Sequence, residues 1–387
     1  MQIFVRPSTD ASAPFWYLAA LVLCTAAPAQ ARDLERKQGS LGQTAATDSG
    51  FLGKAADEKR VERVFTKLTP RQRVAQLLLA YPQVGTATPV EVGGVLFVGN
   101  SLKNLEKARE RVKSSMSRAR VPPFVAVDME GGKSNRMKSY PGLAELPGAR
   151  ELAEMNDTEV QSVGKRIGSA MKDLGFNMNL APVLDVSGSG HMARNGRAFS
   201  GNPENVLAKA TAFARGLIEA GVVPIGKHYP GYGDAEGDSD HALVEVDVPV
   251  AKVNAHAAVF ARASPYLGGV MMSNLVYPSV EKVPAILSAT LVADAHRHGF
   301  LTMTDDISIG VLAEHSGGTS EEVLKKAFLA GNDLLLTTAP PDWDKGLDYI
   351  GLLEKFAAES PQSRKLADEA CRRVLRLKDR MGLLEGL

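Results

Sequence analysis

The sequence predicts an α/β fold: a (β/α)8 barrel of the TIM type, built as a single domain. Three observations carry this. Short, continuous apolar runs rich in Val, Leu and Ile recur eight times. Helical patterns separate most of them, with no long β-only region between. Polar, chemically capable residues follow most of the runs. Strands buried on both faces read as unbroken apolar runs rather than alternating ones. Alternation of strand and helix marks a parallel sheet, and a count near eight favours a closed barrel over an open one. The chain has 387 residues, a length that one such barrel can fill.

The elements follow in order. Arg6, the apolar stretch Phe15–Leu23 and then Ala29-Gln30-Ala31 form a charged segment, a short apolar segment and an A-x-A site. That order predicts a signal peptide over residues 1–31, cleaved after Ala31, and a secreted or periplasmic protein. An uncleaved anchor is the alternative, because Arg6 is opposed by Asp10. A membrane span needs ~20 apolar residues; Pro28, Gln30 and Arg32 end this one early, so no stable membrane insertion is expected after cleavage. Leu23 is too large before Cys24 for a lipoprotein signal. Residues 32–64, polar and glycine-containing, read as a linker or lead-in. The barrel is expected over 65–387. Thr69-Pro70 supplies an N-cap and a first-turn proline for a helix opening at Arg71–Val74.

The expected strands are Leu77–Ala80, Val95–Val98, Phe124–Val127, Leu180–Leu184, Val222–Ile225, Val270–Met272, Leu301–Met303 and Leu334–Leu336. Helical patterns cover Leu102–Ser117, Val160–Asp173, Pro203–Ala220, Val250–Ser264 and Ser320–Ala330.

Composition narrows the function. Forty-five basic residues against 44 acidic ones give a net charge of +1. No basic stripe interleaved with aromatics is present, so nucleic acid is not an expected partner. Once Cys24 leaves with the signal, Cys371 is alone, which excludes an internal disulfide and a metal site built on cysteines. No cofactor is implied, and the oligomeric state is open.

In a barrel the residues after each strand converge on one mouth. Here they include Asp128, Glu130 and Arg136; Asp185, Arg194 and Arg197; Lys227 and His228; Ser273 and Asn274; Asp305 and Asp306. After the fifth run comes GKHYPGYGDAEGDSDH, residues 226–241, a glycine-broken loop holding two of the seven histidines. A strand-end carboxylate, a basic rim and a His/Asp loop suit hydrolysis with covalent catalysis. For a glycoside that means a nucleophilic carboxylate and a proton donor for the leaving oxygen. A histidine suits donation, since its unperturbed pKa of ~6.5 lies near working pH.

Six segments in register resemble glycoside hydrolase family 3, in its single-domain β-N-acetylglucosaminidase (β-hexosaminidase) branch. They are VDMEGG followed by Arg136, NLAPVLDV, GRAFSGNPENV, KHYPGYG, TDDISIG and AGNDLLL. The likeness covers roughly residues 65–385 and implies a (β/α)8 barrel and retaining hydrolysis of terminal β-linked N-acetylglucosamine. It also implies Asp305 as nucleophile and substrate contacts from Asp128, Arg136, Arg197, Lys227 and His228. In this family a histidine in Asp-Ser-His is the acid/base, paired with its aspartate. This chain instead reads Asp238-Ser239-Asp240-His241. Its histidine comes one residue late, so His241 is the expected donor, with Asp238 or Asp240 as partner and Asp240 as an alternative donor. Tyr232 stands where the family's KHFPGHG has a second histidine, and Asn274 where many members have histidine.

Peptidoglycan fragments and chito-oligosaccharides both fit as carbohydrate substrates. Three alternatives stay open: a catalytically impaired binding module for cell-wall amino sugars, a β-N-acetylglucosaminide phosphorylase, and a metal hydrolase on His228, Asp238, Asp240 and His241. The last is disfavoured because glycines deny those residues a fixed helical face. Asp306 suits a cap before the helix that follows, and Asp185 suits a structural ion pair as well as a ligand contact. His191, His256, His296, His298 and His315 read as solvated surface residues.

Overall fold

The computed structural model describes residues 50–81, 92–338 and 348–387. The expected signal peptide and residues 32–49 of the lead-in lie outside these. The strands are β1 (Leu78–Ala80), β2 (Gly94–Phe97), β3 (Phe124–Val127), β4 (Met178–Asn179), β5 (Val223–Tyr229), β6 (Gly269–Met272), β7 (Val276–Tyr277), β8 (Glu281–Pro284), β9 (Leu301–Thr304) and β10 (Leu335–Thr337). Eight of them form one parallel sheet in the order β10-β1-β2-β3-β4-β5-β6-β9. Its two ends meet. Met303 bridges Leu334 in parallel, Thr304 N–H donates to Leu334 O at 2.9 Å, and Leu334 N–H donates to Thr302 O at 3.0 Å. The sheet therefore closes into the expected (β/α)8 barrel. β7 and β8 make a small antiparallel hairpin after β6.

Alternation along each strand sorts side chains into two layers. Leu79, Leu96, Phe124 and Ala126, Met178, Val223 and Ile225, Met271, Leu301 and Met303, and Leu334 and Leu336 form one buried cluster inside the barrel. Their neighbours Leu78, Val95, Val125 and Val127, Val270 and Leu335 join the cluster beneath the surrounding helices. Val374 and Leu377 of the helix Pro361–Arg380 belong to the inner cluster, as does Leu52 of the short 3-10 turn Gly50–Gly53. These residues plug the end of the barrel at which the strands begin. Lys378 is buried there with Nζ donating to Gln76 Oε1 at 2.7 Å, and desolvation brings its ammonium down to a pKa of about 7.

Two expectations need correction. Residues 50–64 are not a featureless lead-in, since the helix Glu58–Lys67 starts inside them under an Asp57 N-cap. Its mean composition is polar, but Val61, Val64, Phe65 and Leu68 form a narrow buried stripe at helical spacing. The fourth strand is Met178–Asn179 rather than Leu180–Leu184. Pro182 has no N–H to give a ladder, so beyond Asn179 pairing with β5 is partial, through Leu184 N–H to Lys227 O at 2.7 Å and Lys227 N–H to Pro182 O at 3.1 Å.

The helices Asp157–Asp173 and Pro203–Glu219 pack closely because glycines meet at their crossing. A Cβ on Gly164 would lie 2.3 Å from Phe213 O, and one on Gly216 2.1 Å from Gln161 O. Ala has the better helix propensity by ~1 kcal/mol, but overpacking of this kind costs ~1–3 kcal/mol. We therefore expect Gly164→Ala to lower the urea midpoint of unfolding; an unchanged or higher midpoint would show that the crossing yields without strain.

Candidate active site

At the C-terminal ends of the strands lies a cavity of about 450 Å³. All nine residues expected to act there line it: Asp128, Arg136, Arg197, Lys227, His228, Asp238, Asp240, His241 and Asp305. Leu96, Leu180, Met271 and Leu336 of the inner layer form its floor, so the cavity is blind.

Backbone irregularity at the end of β5 explains how two successive residues both reach the cavity. Simple alternation would send Lys227 and His228 to opposite faces. Against β6, Lys227 pairs with Met271 and Tyr229 with Met272, so His228 is an extra, bulged residue. Such a bulge re-aims side chains next to a site.

A network of charges surrounds Lys227. Its buried ammonium pairs with Asp128 Oδ1 and lies 2.7 Å from Glu130 Oε1. Arg197 holds Glu130 with two hydrogen bonds, Nε to Oε2 at 2.9 Å and Nη2 to Oε1 at 2.7 Å. Arg136 reaches Asp128 Oδ2 at 3.3 Å. Burial works to raise the Glu130 pKa, but the Lys227 and Arg197 charges outweigh it and keep the carboxyl well below its usual range. Burial likewise opposes the charge on Lys227, and Asp128 and Glu130 overcome it, so its pKa is raised.

His228 is fixed by Asp185, whose carboxylate is fully buried. Oδ2 lies 2.7 Å from His228 Nδ1, while Oδ1 accepts the backbone N–H groups of His228 at 3.2 Å and Tyr232 at 2.7 Å. A carboxylate only accepts, so Nδ1 carries the hydrogen and Nε2 stays free of that bond.

Asp305 follows β9. Its backbone N–H donates to Met272 O at 3.0 Å, and its Oδ1 accepts the Asp306 N–H at 2.8 Å. Burial raises its pKa, and the charge of Asp240 adds to this, whereas His228 and Lys227 act to lower it. Asp306 is bound into a turn instead. Its Oδ1 accepts the Ser308 N–H at 2.9 Å and the Thr338 N–H at 3.2 Å, and its Oδ2 accepts the Thr338 hydroxyl.

The loop over the cavity is held from beneath. Gly231 and Gly233, at φ +133 and +58, lie against the His256 side chain, where a Cβ on either would come to 2.9 Å. Asp234 accepts the N–H groups of Gly188, Ser189 and Gly190 at 2.8, 3.0 and 3.3 Å. The Tyr232 hydroxyl donates to Gly237 O at 3.1 Å and accepts the Ser239 N–H at 3.0 Å. Asp238 Oδ2 sits 4.0 Å from His191 Nε2 and 4.0 Å from His241 Nε2. The His241 side chain is 84% exposed.

Three histidines depart from the expected surface role. His191 lines the cavity and stacks on Tyr232 at 6.0 Å. His256 is buried, and burial lowers its pKa. His296 bonds Asp333 Oδ2 at 3.1 Å. His298 and His315 are exposed. Glu130 and Asp185, left open by the sequence, are the residues that orient Lys227, Arg197 and His228. Their signal was a strand-end position, shared with many carboxylates that do nothing of the kind. Among the described residues no group of three or more His, Cys, Asp or Glu is arranged to hold a metal ion, and no helix is long and apolar enough to cross a membrane.

Comparison with known proteins agrees with this architecture. The family profile described as "Glycosyl hydrolase family 3 N terminal domain" matches residues 71–377. A β-hexosaminidase of Chromobacterium violaceum is 31% identical over 263 residues, spanning 65% of this chain and 73% of that protein. One from Idiomarina loihiensis is 28% identical over 310 residues, 77% of this chain and 89% of that one. The crystal structure of a β-N-acetylhexosaminidase from Beutenbergia cavernae superposes with a TM-score of 0.72 at 28% identity, covering 80% of this chain and 98% of that one.

Glu130 stabilises the buried Lys227 and the half-buried Arg197, so we expect Glu130→Gln to cost about 3 kcal/mol, the lower end for breaking a buried pair. Because its folded pKa is depressed, this contribution is complete at neutral pH. It fades as the pH falls below the unfolded value of ~4.3. Denaturant titrations at pH 7 and pH 3 should show a gap between wild type and variant that narrows in acid; a gap independent of pH would refute the charge pairing.

Proposed function

The chain belongs to glycosyl hydrolase family 3 and is a glycoside hydrolase, and we propose that it is a retaining exo-glycosidase removing terminal β-linked N-acetylglucosamine. One observation carries the proposal. Asp305 presents a half-buried carboxylate to a blind cavity, beside the fixed imidazole of His228 and the paired ammonium of Lys227. The similarity to β-hexosaminidases supports the amino-sugar substrate.

In this reading the terminal sugar enters the blind cavity with its non-reducing end toward the floor. Asp128, Arg136, Arg197, Lys227 and His228 hold its hydroxyls through charge-assisted hydrogen bonds. An Asp305 carboxylate oxygen attacks the anomeric carbon, the bond from that carbon to the leaving oxygen breaks, and the loop 238–241 protonates the leaving oxygen. Water then attacks the glycosyl ester, gives up its proton to the same loop group, and frees Asp305 with net retention. A blind cavity admits a chain end and not a chain interior, which supports exo action. Peptidoglycan fragments and chito-oligosaccharides both present such ends.

The charged, apolar and A-x-A order of residues 6–31 supports export. Protein recovered outside the cytoplasm of an expressing bacterium should begin at Arg32 on N-terminal sequencing; retention of Met1 or an intact leader there would refute cleavage.

Asp305→Asn tests the nucleophile. It should lower turnover of a chromogenic β-N-acetylglucosaminide by at least ~10³-fold, with the wild type preferring that substrate to the β-glucoside. The variant should also melt higher than wild type at pH 7. A raised folded pKa means that ionised Asp305 opposes folding, an effect absent below the unfolded value of ~3.9 and growing as the pH rises through the folded pKa. Retained activity, or a lower melting temperature at pH 7, would count against this assignment.

A further inference from the structure

We propose that the acid/base is Asp240, with His241 outside the reaction; this rests on Asp305 being the nucleophile. The backbone of residues 238–242 forms one helical turn. The N–H groups of His241 and Ala242 both donate to Asp238 O at 3.1 Å, and the Asp240 N–H donates to Asp238 Oδ1 at 3.1 Å. In such a turn successive side chains project about 100° apart, while residues three apart share a side. His241 therefore lies with Asp238, as their 4.0 Å separation shows, and its ring borders the cavity but is mostly exposed to solvent. Asp240 points a different way. The buried Ser239 between them, tied by its N–H to the Tyr232 hydroxyl, stops the turn from rolling to exchange the two.

Both Asp240 and Asp305 line the cavity, and the charge of Asp240 is felt by Asp305, raising the Asp305 pKa. The reaction cycle asks for Asp305 as the carboxylate and Asp240 as the acid. Attack converts Asp305 to a neutral ester, the Asp240 proton passes to the leaving oxygen, and Asp240 is left as a carboxylate. It then accepts the proton of the water that cleaves the ester. Asp238 plays a structural part. Its Oδ1 caps the turn, and its Oδ2 lies 4.0 Å from His191 Nε2 and from His241 Nε2, beside the helix His191–Arg194.

The test compares full-length wild type, Asp240→Asn and His241→Ala on phenyl and 2,4-dinitrophenyl β-N-acetylglucosaminides, with and without sodium azide. Both side chains are exposed, so neither change touches the core. Asp240→Asn should lose ~10²–10⁴-fold in kcat/KM on the phenyl glycoside, whose leaving group needs a proton. It should lose far less on the dinitrophenyl glycoside, and azide should restore turnover with formation of the β-glycosyl azide. His241→Ala should stay close to wild type on both. The proposal is overturned if the leaving-group dependence and the azide product appear in His241→Ala, or if Asp240→Asn hydrolyses the phenyl glycoside at the wild-type rate. An active wild type and a dead Asp305→Asn keep the underlying glycosidase reading in place whichever loop variant fails, whereas an inactive wild type removes both.

Discussion

A buried ammonium must be paired, and much of the barrel mouth is organised around that requirement at Lys227. Unpaired, the charge would cost several kcal/mol to desolvate. Asp128 answers it from the end of β3, and Glu130, two residues on, answers it again. Glu130 then brings a second cation, Arg197, from a segment that follows β4. Three strand ends are thereby tied together before any substrate arrives. The donors at the cavity are held in place by the protein's own electrostatics, which is the preorganisation a polar ligand site needs.

Asp305 is the counterpart, a carboxylate that the fold does not fully compensate. Burial and the nearby Asp240 raise its pKa, while His228, the Asp306 N–H and Lys227 pull it back. Its neighbour Asp306 has the opposite surroundings, with N–H and hydroxyl donors closing on it from Ser308 and Thr338. Two adjacent aspartates thus divide into one with little compensation and one closed in by donors. The same division recurs in the loop. Asp234 accepts three backbone N–H groups and anchors it, Asp238 caps a turn, and Asp240 borders the cavity.

Much of the architecture was legible in the sequence. Seven of the eight barrel strands coincide with expected apolar runs, because a strand covered on both faces has no polar side to disguise it. The departures have local causes. The fourth strand lies just before the apolar run 180–184, where Pro182 has no donor to give the ladder. The helix at Glu58 was hidden because only a narrow stripe of it is buried. In the site, strand-end positions and motif order singled out nine residues that do share one cavity. Glu130 and Asp185 were visible as candidates but not as partners, since pairing depends on residues 67 and 43 positions away.

By itself, then, the sequence determined the alternation of strand and helix, the closed barrel, and the set of polar side chains delivered to its mouth. These follow from periodicity, which is a property of neighbouring residues. Tertiary structure decided the surroundings of those side chains: which carboxylate is compensated, which histidine is buried, and which residues of Asp238-Ser239-Asp240-His241 are turned to solvent. Those outcomes depend on a bulge at His228, a helical turn at 238–242, and charges brought together from distant segments. Linear spacing carries no record of the direction in which a side chain points.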